Sequence, residues 1–239
     1  MKSQFLAALF GFAAVVTVTP SVARADGDLL YGLKIEEFEI RRGDENESLR
    51  TWSTDAFVGT DEVKVRWNSE AEYDTRANKF EKLENRVGVQ VPISDFFDAK
   101  AGVRFDSPTG PNRKYGFIGI AGLAPQWFDL DADLFYSEKS NLSARLDADY
   151  EILITNRLIL TPSAELNAAF SDDTPIEIKS GLTSVELGMR LSYDLVDRMI
   201  SPYVGGVYER KLGNTADLLR SEGEDVEGWR AVVGLKMMF

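Results

Sequence analysis

The chain has 239 residues, a formal net charge of −12, no Cys and no His. Those absences exclude disulfides, thiolate ligands, a Ser-His-Asp triad and imidazole metal sites, and the acidic balance argues against a nucleic-acid partner. Beyond residue 25 no apolar run reaches the roughly 18 residues of a helical membrane span.

In chain order, the N-terminus comes first. Lys2 precedes an apolar stretch from Phe5 to Val18, and Ala23-Arg24-Ala25 is a small-x-small cleavage site ahead of Asp26. This pattern reads as an export signal, too short for an anchoring span. The expected organisation is a cleaved signal over 1–25 and one domain over 26–239.

After it the chain turns into strands with one apolar face. In the first, Leu33 and Ile35 switch parity to Phe38 and Ile40, which predicts a bulge. The third sets Val63, Val65, Trp67 and Ala71 against Lys64, Arg66, Asn68 and Glu70. The fourth sets Leu83, Val87, Val89 and Val91 against Glu84, Arg86 and Gln90, and the fifth sets Ala99, Ala101, Val103 and Phe105 against Lys100 and Arg104. The sixth, Gly116 to Gly122, is apolar on both faces, its glycines leaving room for other side chains to cross the interior.

The seventh sets Phe128, Leu130, Ala132 and Leu134 against Asp129, Asp131 and Asp133. The eighth sets Leu142, Ala144, Leu146 and Ala148 against Arg145, Asp147, Asp149 and Glu151. Pro162 falls inside the ninth, where it cannot donate to a ladder, and is expected near a rim. The tenth sets Val185, Leu187, Met189 and Leu191 against Glu186 and Arg190. The last runs to Phe239 with Ala231, Val233, Leu235, Met237 and Phe239 on one face, similar to the C-terminal signal of outer-membrane barrels.

Twelve strands are expected, near 30–41, 51–59, 62–72, 80–91, 96–105, 115–123, 127–136, 141–153, 158–170, 182–193, 202–210 and 229–239. Their connections alternate short and long, except a short one near Ser137–Asn141. In lipid only helices and closed barrels satisfy every backbone polar group. The predicted fold is therefore all-β, an antiparallel transmembrane β-barrel with short periplasmic turns, longer outer loops and both termini in the periplasm. Aromatics near strand ends, including Trp52, Phe105, Tyr115, Trp127, Phe128, Tyr136, Tyr150, Phe170, Tyr193, Tyr203, Trp229 and Phe239, predict two interfacial girdles.

The inward faces carry the chemistry. Expected inward bases are Lys64, Arg66, Arg86, Lys100, Arg104, Arg145, Arg190, Arg210 and Lys236. Expected inward acids are Glu70, Glu84, Asp129, Asp131, Asp133, Asp147, Asp149, Glu151, Glu165 and Glu186. They make either a cation-guiding lumen or an ion-paired filling that closes a narrow barrel. Acidic loop runs at Asp44–Glu47 and Glu222–Asp225 are solvated or gather cations. No phosphate loop, zinc motif or nucleotide fingerprint appears, so no enzyme is expected.

The segments Asp106-Ser107-Pro108-Thr109-Gly110-Pro111-Asn112-Arg113, Ile118 to Phe128, Arg157 to Pro162, Gly181 to Gly188, Tyr208 to Ala216 and Gly223 to Val226, in this order, resemble the copper resistance protein B family. The resemblance implies a protein of the Gram-negative outer membrane that binds copper or moves copper ions across it. Its surroundings would be outer-membrane lipid and a periplasmic copper-binding protein as donor, with the barrel itself a monomer. Family members often carry a Met- and His-rich segment before the barrel, whereas here Asp26-Gly27-Asp28 leads almost directly into the first strand.

After residue 25 the methionines are Met189, Met199, Met237 and Met238, two of them on the predicted lipid face. Soft or imidazole ligands for copper are thus scarce. The candidate metal ligands are the inward acids Glu70, Asp131, Asp147, Glu165 and Glu186, positioned by Arg66, Arg86, Arg104, Arg145 and Arg190. The alternative is a small-solute or structural outer-membrane barrel with an ion-paired lumen and no copper role.

Overall fold

A computed structural model describes residues 29–43, 48–196 and 198–239. The expected export signal and the acidic run Asp44–Glu47 lie outside the described residues.

Period-two patterning gives strands throughout. They are β1 (Leu30–Arg42), β2 (Ser48–Gly59), β3 (Lys64–Asp74), β4 (Lys79–Pro92), β5 (Phe97–Asp106), β6 (Arg113–Ala124), β7 (Phe128–Ser137), β8 (Leu142–Asp149), β9 (Ile152–Leu153), β10 (Leu158–Ala169), β11 (Gly181–Tyr193), β12 (Ile200–Lys211) and β13 (Glu227–Met238). A ten-residue helix, α1 (Gly213–Glu222), interrupts the last loop. Neighbouring strands are antiparallel, β13 pairs with β1, and β10 pairs with β11, which closes the sheet. β8 and β9 lie end to end along β10 and form one stave, so the barrel has twelve.

The break between β8 and β9 has a chemical cause. Tyr150 N–H donates to the Pro162 carbonyl at 3.1 Å, so Pro162 should return a bond to Tyr150 and has no N–H to give. Tyr150 and Glu151 drop out of the ladder there, and Glu151 pairs instead with Arg198 at 3.2 Å, half exposed, rather than facing inward as expected. Pro162 sits four residues up from the start of β10, deeper than the rim position predicted. The predicted bulge is present: the pairing of β1 with both neighbours slips after Ile35. It turns Glu37, Glu39 and Arg41 inward while Phe38 and Ile40 face out.

The outer face is apolar. Val87, Val89, Ile118, Ile120, Leu134, Leu146, Leu187 and Val204 are all exposed. A continuous apolar belt suits hydrocarbon, not water. No described helix is long and apolar enough to cross a membrane; the strands do the crossing. Exposed aromatics fringe the belt at the short-turn rim (Phe96, Trp127, Phe128, Tyr193, Phe239) and at the long-loop rim (Phe105, Tyr136, Phe170, Trp229). Two predicted girdle residues are corrected: Tyr115 and Tyr203 are buried in the lumen. Their strands are apolar on both faces, so parity could not orient them.

Strand β6 supplies filling. Tyr115, Phe117 and Phe135 cluster inside the barrel. The Phe117 ring lies against Gly88 and Gly102, where a Cβ would come within 2.9 Å of ring carbons. Gly119 faces the Asp133 side chain, so the glycine of this strand does admit a neighbour's group, as expected.

Connections alternate less cleanly than predicted. The expected long link between the third and fourth strands is a four-residue turn over 75–78, because β3 and β4 extend to Asp74 and Lys79. The link over 138–141 is short as read from the sequence.

Candidate lumen site

Inward positions of adjacent strands converge on the barrel axis, so charged residues there must pair or remain wet. On one side of the lumen, Glu39 accepts Arg41 Nε at 2.6 Å, Arg190 Nε and Nη2 at 3.2 Å, and Tyr203 Oη at 2.8 Å. Arg190 also reaches Glu37 at 2.7 Å, and Arg41 Nη1 donates to Glu186 at 3.0 Å. On the other side, Glu84 takes Arg145 at 3.1 Å, Arg104 at 2.8 Å and Arg86 at 3.1 Å. Asp133 lies between Arg86 and Lys100, each at 3.0 Å, while Glu70 holds Arg86, Lys82 at 2.8 Å and Arg145 at 3.5 Å. The Arg104 guanidinium lies against both Tyr115 and Phe135, 4.9 and 4.6 Å from the ring centres, beside their edge-to-face contact.

Several of these pairs are chords. Arg86 on β4 reaches Asp133 on β7, Arg145 on β8 reaches Glu84 on β4, and Arg190 on β11 reaches Glu39 on β1. They tie non-neighbouring staves across the interior. Nearer the short-turn rim, Arg66 donates to Asp55 and Gln90 at 2.7 Å. A cavity of about 20 Å³ between Arg66, Arg86, Gln90, Lys100 and Phe117 is the size of a single water site.

The five expected arginines Arg66, Arg86, Arg104, Arg145 and Arg190 all face inward and are all ion-paired. Arg210 is a correction. It points outward and pairs with Glu227 at 3.3 Å, because Tyr203 and Val207 turn the odd face of β12 inward.

The expected acids do not converge. Among the described residues no three acidic side chains are grouped to hold a metal ion. Glu70 sits on β3 within the arginine network. The other four form a row instead. Asp131, Asp147, Glu165 and Glu186 are successive register partners on β7, β8, β10 and β11, and Glu209 on β12 continues it. Asp129 and Asp149 face each other one pair nearer the short-turn rim.

Like charges directly opposite one another oppose sheet pairing. Lys100 pairs with Asp131, Arg41 with Glu186, and Arg230 and Lys211 with Glu209, whereas Asp147 has no ion pair among the described residues. Exposure separates the two sets. The Arg41, Arg145 and Arg190 side chains keep 5–7 % of their surface, but Asp131, Glu165, Glu186 and Glu209 keep 38, 28, 25 and 23 %. Arg41, Arg145 and Arg190 are buried together with Glu39, Glu84 and Asp133, and the acids of the row line what solvent reaches.

Sequence reading missed Glu37, Glu39 and Arg41, although the bulge it identified flips their parity inward. It also missed Asp55, Lys82, Glu209, Lys211 and Arg230, and the Arg113–Asp173 pair joining β6 to a distant loop.

Comparisons with known proteins agree with this architecture. In structure the chain is similar to the KdgM porin (TM-score 0.53, 11 % identity, 87 % of this chain and 99 % of that one). It is equally similar to the NanC porin (TM-score 0.55, 12 % identity, 87 % and 99 %); both likenesses concern the fold. In sequence it is 36 % identical over 193 residues to a "Copper resistance protein B homolog" of Pseudomonas syringae pv. tomato, covering 80 % of this chain and 64 % of the relative. It is 32 % identical over 200 residues to a "Copper resistance protein B" of Escherichia coli, covering 83 % and 66 %. The chain thus spans about two thirds of the length of these relatives. The family described as "Copper resistance protein B precursor (CopB)" matches residues 29–239, and the chain belongs to that family, as an antiparallel barrel of the outer-membrane type.

Proposed function

We propose that this barrel sits in the outer membrane after export and serves copper resistance by giving copper ions a carboxylate-lined path through its lumen. The observation that carries the cation path is the partly solvated row Asp131–Asp147–Glu165–Glu186–Glu209, which climbs from the short-turn half toward the outer loops. Rings and rows of carboxylates favour cations over anions. Family membership supplies the metal. Oxygen ligands alone select copper poorly, so selectivity rests with a periplasmic donor that presents copper through Met or His. Copper is cargo here, held weakly. The reading requires no catalytic group, and the chain has neither His nor Cys.

A second reading is favoured by the buried network around Glu39 and Glu84: a closed structural barrel with no copper role. Deletion strains grown on copper, zinc and silver separate the two. The copper reading expects sensitivity confined to copper, rescued by wild type and not by the Asp131→Asn/Asp147→Asn/Glu165→Gln/Glu186→Gln variant, with the variant still heat-modifiable on a gel. Equal tolerance of deletion and parent to all three metals overturns it.

A further inference from the structure

The outer loops are folded rather than open. The segment 170–180 between β10 and β11 contains a 3₁₀ turn (Thr174–Ile176) and a bridge from Asp173 to Ile178. Asp172 fastens it internally, accepting Ser180 N–H at 2.8 Å and Lys179 Nζ at 3.0 Å. Its free flank then leaves the rim of its own hairpin. Phe170 N–H donates to the Leu142 carbonyl at 2.8 Å, continuing the β10–β8 ladder, and Ser171 hydroxyl donates to Asn141 Oδ1 at 3.2 Å, which brings the segment alongside the β7–β8 turn. That turn is a short four-residue outer connection, and its low profile gives the segment room to pass.

Beyond it Asp173 meets Arg113, the first residue of β6. Nε donates to Oδ2 at 2.9 Å and Nη2 to Oδ1 at 2.7 Å. Both side chains are 7 % exposed. On the opposite flank, α1 docks onto the same segment. Thr215 Oγ1 accepts Lys179 N–H at 3.0 Å and donates to the Lys179 carbonyl at 3.2 Å, and Asn214 donates to the Ser180 carbonyl at 3.1 Å. Loop and helix therefore form one body. Glycines with positive φ bound it: Gly181 (+120°) where β11 begins, and Gly213 (+52°) and Gly223 (+84°) at the two ends of α1. Across the rim from these hinges, the bond between this body and β6 among the described residues is one two-point ion pair.

We propose that loop 170–180 and α1 form a door over the outer mouth, hinged on Gly181, Gly213 and Gly223 and latched to β6 by Arg113–Asp173. It governs entry from the cell exterior to the upper lumen, and it rests on the reading above only for which side is outside. Lids bounded by small hinge residues that absorb φ/ψ change are a known gating device.

The chain has no Cys, so Ser184→Cys gives a single reporter in the upper lumen, where Ser184 accepts Asn167 Nδ2 at 3.1 Å. Labelling of intact cells by a membrane-impermeant maleimide reads access from outside. Arg113→Gln and Asp173→Asn are each expected to label about tenfold faster or more, the effect of losing a bidentate charge-assisted bond. The exchange Arg113→Asp/Asp173→Arg is expected to return the rate toward that of the parent. Equal rates in parent, single variants and exchange, all heat-modifiable on a gel, overturn the door. If Arg113→Gln fails to assemble, Asp173→Asn and the exchange still decide. Copper tolerance does not enter this readout, so failure of the copper reading leaves the door standing and the reverse also holds.

Discussion

Glu39 has no exposed side-chain surface, and two arginines and a tyrosine converge on it. Removing one partner of a buried pair strands a charge and costs about 3–5 kcal/mol, whereas replacing both partners by apolar groups of similar size is often neutral. Arg190→Met is therefore expected to lower stability by about 3–5 kcal/mol, and Glu39→Leu/Arg190→Met by clearly less, read from urea unfolding in detergent or lipid. An equal loss in both would show that the pair does not act as a unit. At the outer rim, the Arg113 guanidinium holds the Asp173 carboxyl below the usual carboxylate range. A lowered folded value means the latch contributes fully above the unfolded aspartate value of about 3.9 and is lost as pH falls through the folded one. Exchange of the Arg113 Nε–H, which donates to Asp173 Oδ2 at 2.9 Å, should stay protected from pH 8 to about 5 and open only below about 4, after correction for intrinsic rates. Arg66, Arg86, Arg104, Arg145 and Arg190 were legible because each lies opposite apolar neighbours in an alternating strand. Tyr203 was not, because Pro202 to Val207 is apolar or Gly at every position and parity carries no information there.

Strands were the most legible elements, since a lipid-facing strand must be apolar at every second residue. Leu146 and Leu187 occupy that face and are exposed. Leu146→Arg or Leu187→Arg is expected to cost roughly 2–4 kcal/mol near the midplane, while Lys64→Arg on the inward face removes no lipid contact and adds no charge. A similar loss at all three sites in an unfolding titration would mean the outward face had been misassigned. The break between β8 and β9 was only half legible. Pro162 flagged a ladder defect, but whether its missing N–H pointed toward β9 or β11 depends on pairing parity, which emerges only when the strands are in register. Tyr150 and Glu151 show that it points toward β9. Loop structure was hardest to read. The 170–180 segment and α1 are held by Thr215, Asn214 and Arg113, contacts distant in sequence that leave no periodic trace.

Across the whole molecule the chords decide whether the lumen conducts. Arg86–Asp133, Arg145–Glu84 and Arg190–Glu39 cross the interior, and Tyr115, Phe117 and Phe135 fill space beside them. An open pore would keep such side chains against the wall and solvated; here Glu84 and Asp133 keep 1 % of their side-chain surface. The twelve-stave barrel is therefore expected to show little steady current in planar bilayers, far below that of an open porin of the same strand number. What current passes follows the solvated face, and that face is lined by Asp131, Asp147, Glu165, Glu186 and Glu209. It should be cation-selective. Neutralising Asp131, Asp147, Glu165 and Glu186 together should move the reversal potential in a salt gradient toward zero without raising conductance, since the chords remain. Breaking a chord with Arg145→Gln should do the opposite, raising conductance at some cost in stability while keeping selectivity for cations. A large steady current from the wild-type barrel, or a reversal potential indifferent to the four neutralisations, would show that the acids do not line the conducting path.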